Sequence, residues 1–395
     1  MPSRFGVGWD EADDVAAWPG LPRLDQDATA DACVVGLGAS GLAAARALSE
    51  RGLSVVGVDA GRVAAGASGR NGGFLLGGPA AFLHRAITAW GEDPAVGLYR
   101  QTLAELDRVL DEMPGIARRV GSIRLAGLPG AARDGAEERE RTVELADCAA
   151  HAAALREHGF RVESYDGDLG QGLYLPDDAV TNPVARALRS AQALHGRARL
   201  YEQSPVSAVR PGQVITERGT VYAGLVLVAV DGRLEALLPE LAGVVRTARL
   251  QMLATAPVPP RLDCAVYCRW GYDYAQQVDG RLFVGGGRDR FADDEWTWQT
   301  EPSEPVQSWI EQVAARFADT PVSVTHRWAA SVGFTADGRP LIAQIAPGVL
   351  ACGGYSGTGN LVGPLATRAA VELALDGTPP PGWVRYWAGA GTAER

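Results

Sequence analysis

Gly36-Leu37-Gly38-Ala39-Ser40-Gly41 follows the apolar run Asp31–Gly36 (DACVVG) and opens into the Ala- and Leu-rich stretch Ser40–Arg51. An apolar run ending in glycine reads as a buried parallel strand. Good helix formers come next, and Gly52 stops them. Leu53–Asp59 (LSVVGVD) is a second buried strand, which completes a βαβ unit. Each glycine has a task in such a turn: Gly36 for the tight reversal, Gly38 for backbone approach to a pyrophosphate, Gly41 for packing helix on strand. The helix start at Ala39 and Ser40 offers unpaired N–H groups to phosphates. Asp59, followed by Ala60, stands where a carboxylate takes the hydroxyls of an adenosine ribose. An acid there disfavours a 2′-phosphate and hence NADP. The competing reading is a glycine turn in an α/β fold that binds nothing.

Two further glycine segments separate the dinucleotides. Ala65–Gly73 (AGASGRNGG) is a run of small residues broken only by Arg70 and Asn71. Such a run lets amides touch a large flat or phosphorylated ligand, here through Ala67, Ser68, Arg70, Asn71, Gly72 and Gly73. An NAD fold has no need of it, which points towards FAD; the competing reading is an ordinary flexible loop. Cys352–Gly363 (CGGYSGTGNLVG) again feeds a helix. Gly354, Ser356, Gly357, Thr358, Gly359, Asn360 and Leu361 would present a helix N-terminus to the charge that a reduced flavin carries near N1.

The surrounding composition bounds the rest. At 395 residues the chain is long enough for two domains or one large α/β unit. Its net charge of −10 disfavours nucleic acid as a partner. All 37 basic residues are arginine, so no lysine base, Schiff base or lysine-activated oxygen site can exist. Five scattered cysteines argue for buried thiols in a reducing compartment. The Cys264/Cys268 spacing lacks further ligands, so no metal is expected. The acidic beginning and the absence of an 18-residue apolar run give the expectation of a cytoplasmic protein without a membrane span.

Helices are expected at Leu103–Leu110, Glu137–His158, Pro302–Phe317 and Gly359–Leu375, with a loop and helix over Asp177–His195. From 199 onward the period shortens. Strands are expected at Arg199–Glu202, Ser204–Arg210, Gln213–Thr216 and Leu225–Val230, then at Arg249–Ala254, Ala265–Trp270, Tyr274–Val278, Leu282–Gly285 and Val349–Gly354. The fold class is therefore α/β plus antiparallel β. A discontinuous, Rossmann-like FAD-binding domain (31–80, 160–235 and 325–390) holds an inserted substrate domain (81–159 and 236–324) on a mixed or antiparallel sheet. Residues 1–30 form an N-terminal arm.

On Ala64–Gly73, Arg327–Leu341 (RWAASVGFTADGRPL) and Cys352–Gly363, the chain resembles the FAD-dependent amino-acid and amine oxidoreductases, the group of D-amino-acid, glycine and sarcosine oxidases. The SGRNGG form and the lead-in before Asp31 are most similar to the gamma-glutamylputrescine oxidoreductase-like branch. The resemblance implies two domains, FAD extended across the first, and the substrate over the flavin ring. It adds Val206 and Gly333 to the cofactor contacts. It also implies hydride transfer from the carbon bearing nitrogen to flavin N5, with hydrolysis of the imine, so no protein acid/base residue is required.

The departures point to the substrate. Aligning Thr335, Asp337, Gly338 and Pro340 places Val332 where related oxidases carry an arginine for the α-carboxylate. Ala330 stands where a tethering cysteine would be, so FAD is expected to be non-covalent. Leu361 and Phe283 stand where sarcosine oxidases use lysines, and Thr358 where they use a histidine. An amine without an α-carboxylate is the favoured substrate, since a carboxylate without a partner is costly to bury. Tyr272, Tyr274 and Trp270 are candidate pocket walls for a cation, with Asp273 and Asp289 as ammonium partners. Tyr355 is expected near the flavin, and His326 is read as structural. One alternative is an α-amino-acid oxidase or dehydrogenase with its clamp moved to Arg288, with Arg269 and Arg290 close by in sequence. Another is a flavin-binding subunit without turnover. The electron acceptor is O2 or a protein or quinone. Ordinary sheet packing and solvated arginines are the bland readings of these pocket residues.

Overall fold

The computed structural model describes residues 6–132 and 134–389. They form two compact units: 6–11, 70–132, 134–183 and 249–330 make one, and 12–69, 184–248 and 331–389 the other.

The second unit is built on the strand Ala28–Val35, which pairs in parallel with Thr220–Val228 on one side and Val55–Val58 on the other. Val349–Gly353 and Arg199–Tyr201 extend the parallel set outward. Leu341–Ala346 lies antiparallel to Val349–Gly353, and Arg385–Ala388 closes that edge. A hairpin, Val206–Arg210 with Gln213–Thr216, joins Thr220–Val228 to complete nine strands. The three adjoining parallel strands are apolar where they are buried: Val35, Val56, Val226 and Val228 share one core. Each buried valine of this kind contributes roughly 1.5–3 kcal/mol. The helix Ala39–Glu50 packs against Gly359–Asp376, with Thr367 Oγ1 donating to the Ser40 carbonyl at 3.0 Å. Gly363 permits this approach, since a Cβ there would lie 2.3 Å from Ser40 Oγ.

The first unit carries an eight-stranded sheet in the order Val324–Phe334, Arg246–Thr255, Arg281–Gly286, Asp273–Val278, Ala265–Cys268, Ser122–Leu125, Gly170–Leu175, Glu163–Gly167. It is antiparallel except where Ala265–Cys268 meets Ser122–Leu125. A three-stranded sheet joins Phe74–Leu75, Ala179–Thr181 and Ala117–Arg119. Helices Leu83–Trp90, Glu92–Glu112, Gly135–Glu157 and Glu304–Ala318 belong to the same unit.

Several boundaries differ from the sequence expectation. Residues 160–183, expected with the cofactor domain, lie in the first unit because Glu163–Gly167 and Gly170–Leu175 pair into its sheet. The expected arm divides. Trp9 is buried and stacks on Phe283 at 3.7 Å in the first unit, whereas Leu24 enters the core of the second. Residues 28–30 already belong to the first strand. Strand Ser122–Leu125 lies between the expected helices Leu103–Leu110 and Glu137–His158, and its four residues are too few for a period to show.

Candidate nucleotide site

The strands of the second unit that run parallel all end on one edge. That edge gathers Gly36, Asp59, Glu202, Ala229–Asp231 and Gly354, and ligands of open α/β sheets bind there. Gly36 has φ +97°, and a Cβ would stand 2.8 Å from the Ala229 carbonyl. At Gly41 a Cβ would lie 1.8 Å from the Gly36 carbonyl oxygen, so only glycine lets the helix begin this close to the strand. At Gly38 it would lie 2.6 Å from Ser68 Oγ. Ser68 accepts from the Ala39 amide at 2.9 Å, bringing the small-residue run to the helix start. Ala67 and Ser68 sit in a short turn of helix, and Ala60 is exposed.

Asp59 accepts from the Leu37 amide at 2.7 Å and the Gly61 amide at 2.8 Å. Burial pushes its carboxyl above the usual range, and the two N–H bonds oppose this. Glycines shaped for close approach, a helix N-terminus and a carboxylate on one edge fit the pyrophosphate and ribose of a dinucleotide.

The C-terminal loop occupies the same unit. The Gly333 amide bonds to Asp231 Oδ2 at 3.1 Å and the Tyr355 amide to Oδ1 at 3.2 Å. The Ser356 amide bonds the Gly333 carbonyl at 2.9 Å. Gly354 and Gly357 have φ +67° and +92°, and Ser356, though not glycine, has φ +52°. Thr358 Oγ1 donates to the Tyr355 carbonyl at 2.7 Å just before the helix begins at Gly359. Arg186 Nη1 donates to the Asn360 carbonyl at 2.9 Å, and Leu361 is buried. Val206 is half-buried at the start of the hairpin. Tyr355 is itself buried against Gly359 and Gly363. Val332 is buried on its strand.

Sequence reading missed two carboxylates here. Asp231 ties the Gly333 turn to the Tyr355 loop, and burial pushes its pKa up to about 6. Glu202 accepts from the Trp18 indole, the Leu21 amide and the Val63 amide, joining the lead-in to the segment just before the small-residue run. Neither lies in a motif; only an acid just beyond a buried strand marks them.

Arg70, Asn71, Gly72 and Gly73 belong to the first unit. Arg70 donates to the Ala329 carbonyl, and the Trp9 indole donates to the Asn71 carbonyl at 2.9 Å. Gly72 lies under the Tyr274 ring, where a Cβ would be 3.0 Å away, and its carbonyl accepts from Gln276. Gly73 has φ +74°, and a Cβ would meet the Thr181 carbonyl at 2.2 Å.

The candidate pocket residues of this unit do not form one group. Tyr272 is exposed, while Tyr274 packs with Phe74 and Tyr267. Trp270 belongs with the helix Gly135–Glu157, donating to Asp147 at 2.8 Å. Arg288 is half-buried over the Trp296 ring at 5.2 Å, and burial lowers its pKa. Asp273 and Asp289, expected as ammonium partners, are instead held by Arg269, whose Nη1 lies 2.5 Å from Asp273 Oδ2. Arg269 is buried rather than solvated, because the left-handed turn Arg269–Gly271 folds it back over both acids. His326 is buried 3.3 Å from Glu11. Cys264 is half-buried and the other four thiols are buried; all five are free. No metal-binding cluster occurs, and no helix is long and apolar enough to cross a membrane, among the described residues.

The family "FAD dependent oxidoreductase" matches residues 31–373. The chain is 28% identical to "Probable oxidoreductase OrdL" of Rhizobium meliloti (strain 1021), over 95% of this chain and 89% of that one. It is 27% identical to "Gamma-glutamylputrescine oxidoreductase" of Escherichia coli (strain K12), over 89% and 84%. Among solved structures it is similar in fold to glycine oxidase from Geobacillus kaustophilus, with a TM-score of 0.69 and 21% identity over 89% of this chain and 96% of that one.

Proposed function

The chain belongs to the FAD dependent oxidoreductase family, and from that premise we propose that it oxidises a C–N bond in a primary or secondary amine whose reacting carbon bears no carboxylate. FAD supplies the acceptor for the hydride leaving that carbon. Loss of the nitrogen proton leaves an imine, and water converts it to a carbonyl compound and a free amine or ammonia. The observation that carries the reading is Val332, an apolar side chain buried at 7% exposure where related oxidases place a carboxylate-binding arginine. A carboxylate placed there would lose its solvation without gaining a partner. The relative named for gamma-glutamylputrescine supports an amine as substrate. FAD is held without a covalent bond, as Ala330 offers no nucleophile. The reduced enzyme passes its electrons to O2 or to a protein or quinone acceptor, in a compartment that keeps five thiols free.

The test is anaerobic reduction of the bound flavin by polyamines and N-alkylamines, set against glycine, sarcosine and D- and L-α-amino acids. Bleaching by the amines alone is the expected result. Bleaching by α-amino acids alone would sink the reading and turn attention to Arg288, whose half-burial beside Trp296 favours it as a relocated clamp. In that case Arg288→Ala should abolish the reaction.

A further inference from the structure

The outermost parallel strand of the second unit, Arg199–Tyr201, runs beside Val55–Val58. Beyond the strand ends the two chains stay together. The Asp59 amide donates to the Tyr201 carbonyl at 2.9 Å, the Ser204 amide to the Asp59 carbonyl at 2.7 Å, and the Gln203 amide to the Gly61 carbonyl at 2.9 Å. Gln203 has φ +49°, which a residue other than glycine rarely adopts. Residues 202–204 are therefore fixed alongside Asp59, the carboxylate that fits the adenosine ribose.

Residues 18–24 lie against this pair and belong to no helix or strand. The Glu202 amide donates to the Pro22 carbonyl at 3.0 Å, and the Leu24 amide to Ser204 Oγ at 2.9 Å. Glu202 Oε2 accepts from the Leu21 amide at 2.9 Å. Its Oε1 accepts from both Trp18 Nε1 at 3.1 Å and the Val63 amide at 2.7 Å. Gly20, at φ +78°, turns bare backbone over the carboxylate, where a Cβ would stand 3.4 Å from Oε2. One carboxylate oxygen thus joins the Trp18 ring to the segment that follows Asp59.

Covering a sheet edge does not need this carboxylate, since any loop would serve. Glu202 is 4% exposed, and its charge adds to the upward push that burial gives the Asp59 carboxyl. Two acids set close together in the interior are unfavourable. What the second acid provides is orientation. Its bond to Nε1 fixes the edge of the indole, while Trp18 and Leu21 stay half-buried and Leu24 alone sinks into the core. A partly open aromatic ring, held by one edge and tied to the ribose-binding segment, suits a flat purine base.

We propose that Trp18 is an adenine-contacting residue of the FAD site and that Glu202 positions it, so that residues 18–24 form the adenosine-side wall of that site. The lead-in is then part of the cofactor site, and it acts on the half of FAD that FMN lacks. All of its residues lie in the second unit. The proposal rests on FAD as the cofactor and is independent of the C–N reading, which the amine panel tests.

The experiment uses the full-length protein as wild type, Trp18→Leu, Trp18→Phe and Glu202→Gln. Release of FAD from the holoenzyme on dilution is followed by flavin fluorescence. ADP, FAD and FMN are then titrated calorimetrically into protein stripped of flavin. Trp18→Leu should weaken ADP and FAD alike by about tenfold or more, and leave FMN unchanged. FAD release from the holoenzyme should quicken by a similar factor. Trp18→Phe keeps a ring and should keep most of the affinity. Glu202→Gln sets an amide N–H against one of its three donors and should give a smaller loss, again confined to ADP and FAD. Unchanged FAD release and ADP affinity in Trp18→Leu would place the indole outside the site and overturn the proposal. Weakening of FMN in step with FAD would reveal a purely structural role and overturn it too. So would a stripped wild type that binds FAD but not ADP. If stripped wild type binds no FMN, the Phe variant decides: ADP affinity kept supports the ring contact, and affinity lost as fully as in the Leu variant overturns it.

Discussion

Single atoms decide most at the nucleotide turn. Gly41→Ala forces a methyl carbon to within 1.8 Å of the Gly36 carbonyl, so helix or strand must shift. A loss of about 3 kcal/mol or more is expected in denaturant unfolding, with little flavin retained. Gly38→Glu adds bulk and charge beside Ser68 and should give colourless protein; full flavin content would refute the site. Glu144 gives a pH prediction. Burial, with a smaller push from Glu140, raises its pKa from 4.5 to about 7. A carboxyl raised in the folded state favours folding below its unfolded pKa, and that contribution is lost as pH climbs through 7. The loss is on the order of 3 kcal/mol at full ionisation. Glu144→Gln should therefore lose less stability than wild type between pH 5 and pH 8 in paired denaturant titrations. Identical slopes would contradict the raised pKa. The glycine turn was legible because its six residues are contiguous and their roles local. Asp231 was not, because its partner Gly333 lies 102 residues away.

Among elements, two long helices were read to within two residues at all four of their ends. Gly135–Glu157 was expected over Glu137–His158, and Gly359–Asp376 over Gly359–Leu375. Their length lets propensity and period accumulate. Asp134 caps Gly135–Glu157 by accepting from the Ala136 and Glu137 amides at 2.8 and 3.0 Å. Asp134→Ala should cost about 1 kcal/mol, read as a lowered melting temperature. Asp134→Asn should restore most of it. The left-handed turn was hidden, because a run of two non-glycine residues at positive φ has no sequence signature. Glu144 on the helix and the Asp273–Arg269 pair hold that turn, so its cause is tertiary. This is why Tyr272 and Trp270, only two residues apart, go to different surroundings.

At the scale of the molecule, each unit is assembled from three separated segments. No single cut releases the nucleotide edge intact, since Gly36, Asp231 and Gly354 come from different segments. Cofactor and fold should therefore be linked. Adding FAD at a hundred times its dissociation constant to stripped protein should stabilise it by about 2.7 kcal/mol, seen as a concentration-dependent rise in melting temperature. Acid precipitation should leave the yellow colour in solution, since Ala330 cannot form a thioether; a yellow pellet would overturn that expectation. The sequence by itself determined the βαβ unit, the three glycine segments, the cofactor class and the absence of lysine chemistry, because each depends on residues adjacent in the chain or on composition. Only the tertiary structure decided which arginines are committed to carboxylates. Pairing of charges is settled by strands and turns that meet from distant parts of the chain. Arg124 and Arg269 are alike as letters, and only packing gives Arg269 three acidic neighbours while Arg124 lies over the Tyr267 ring.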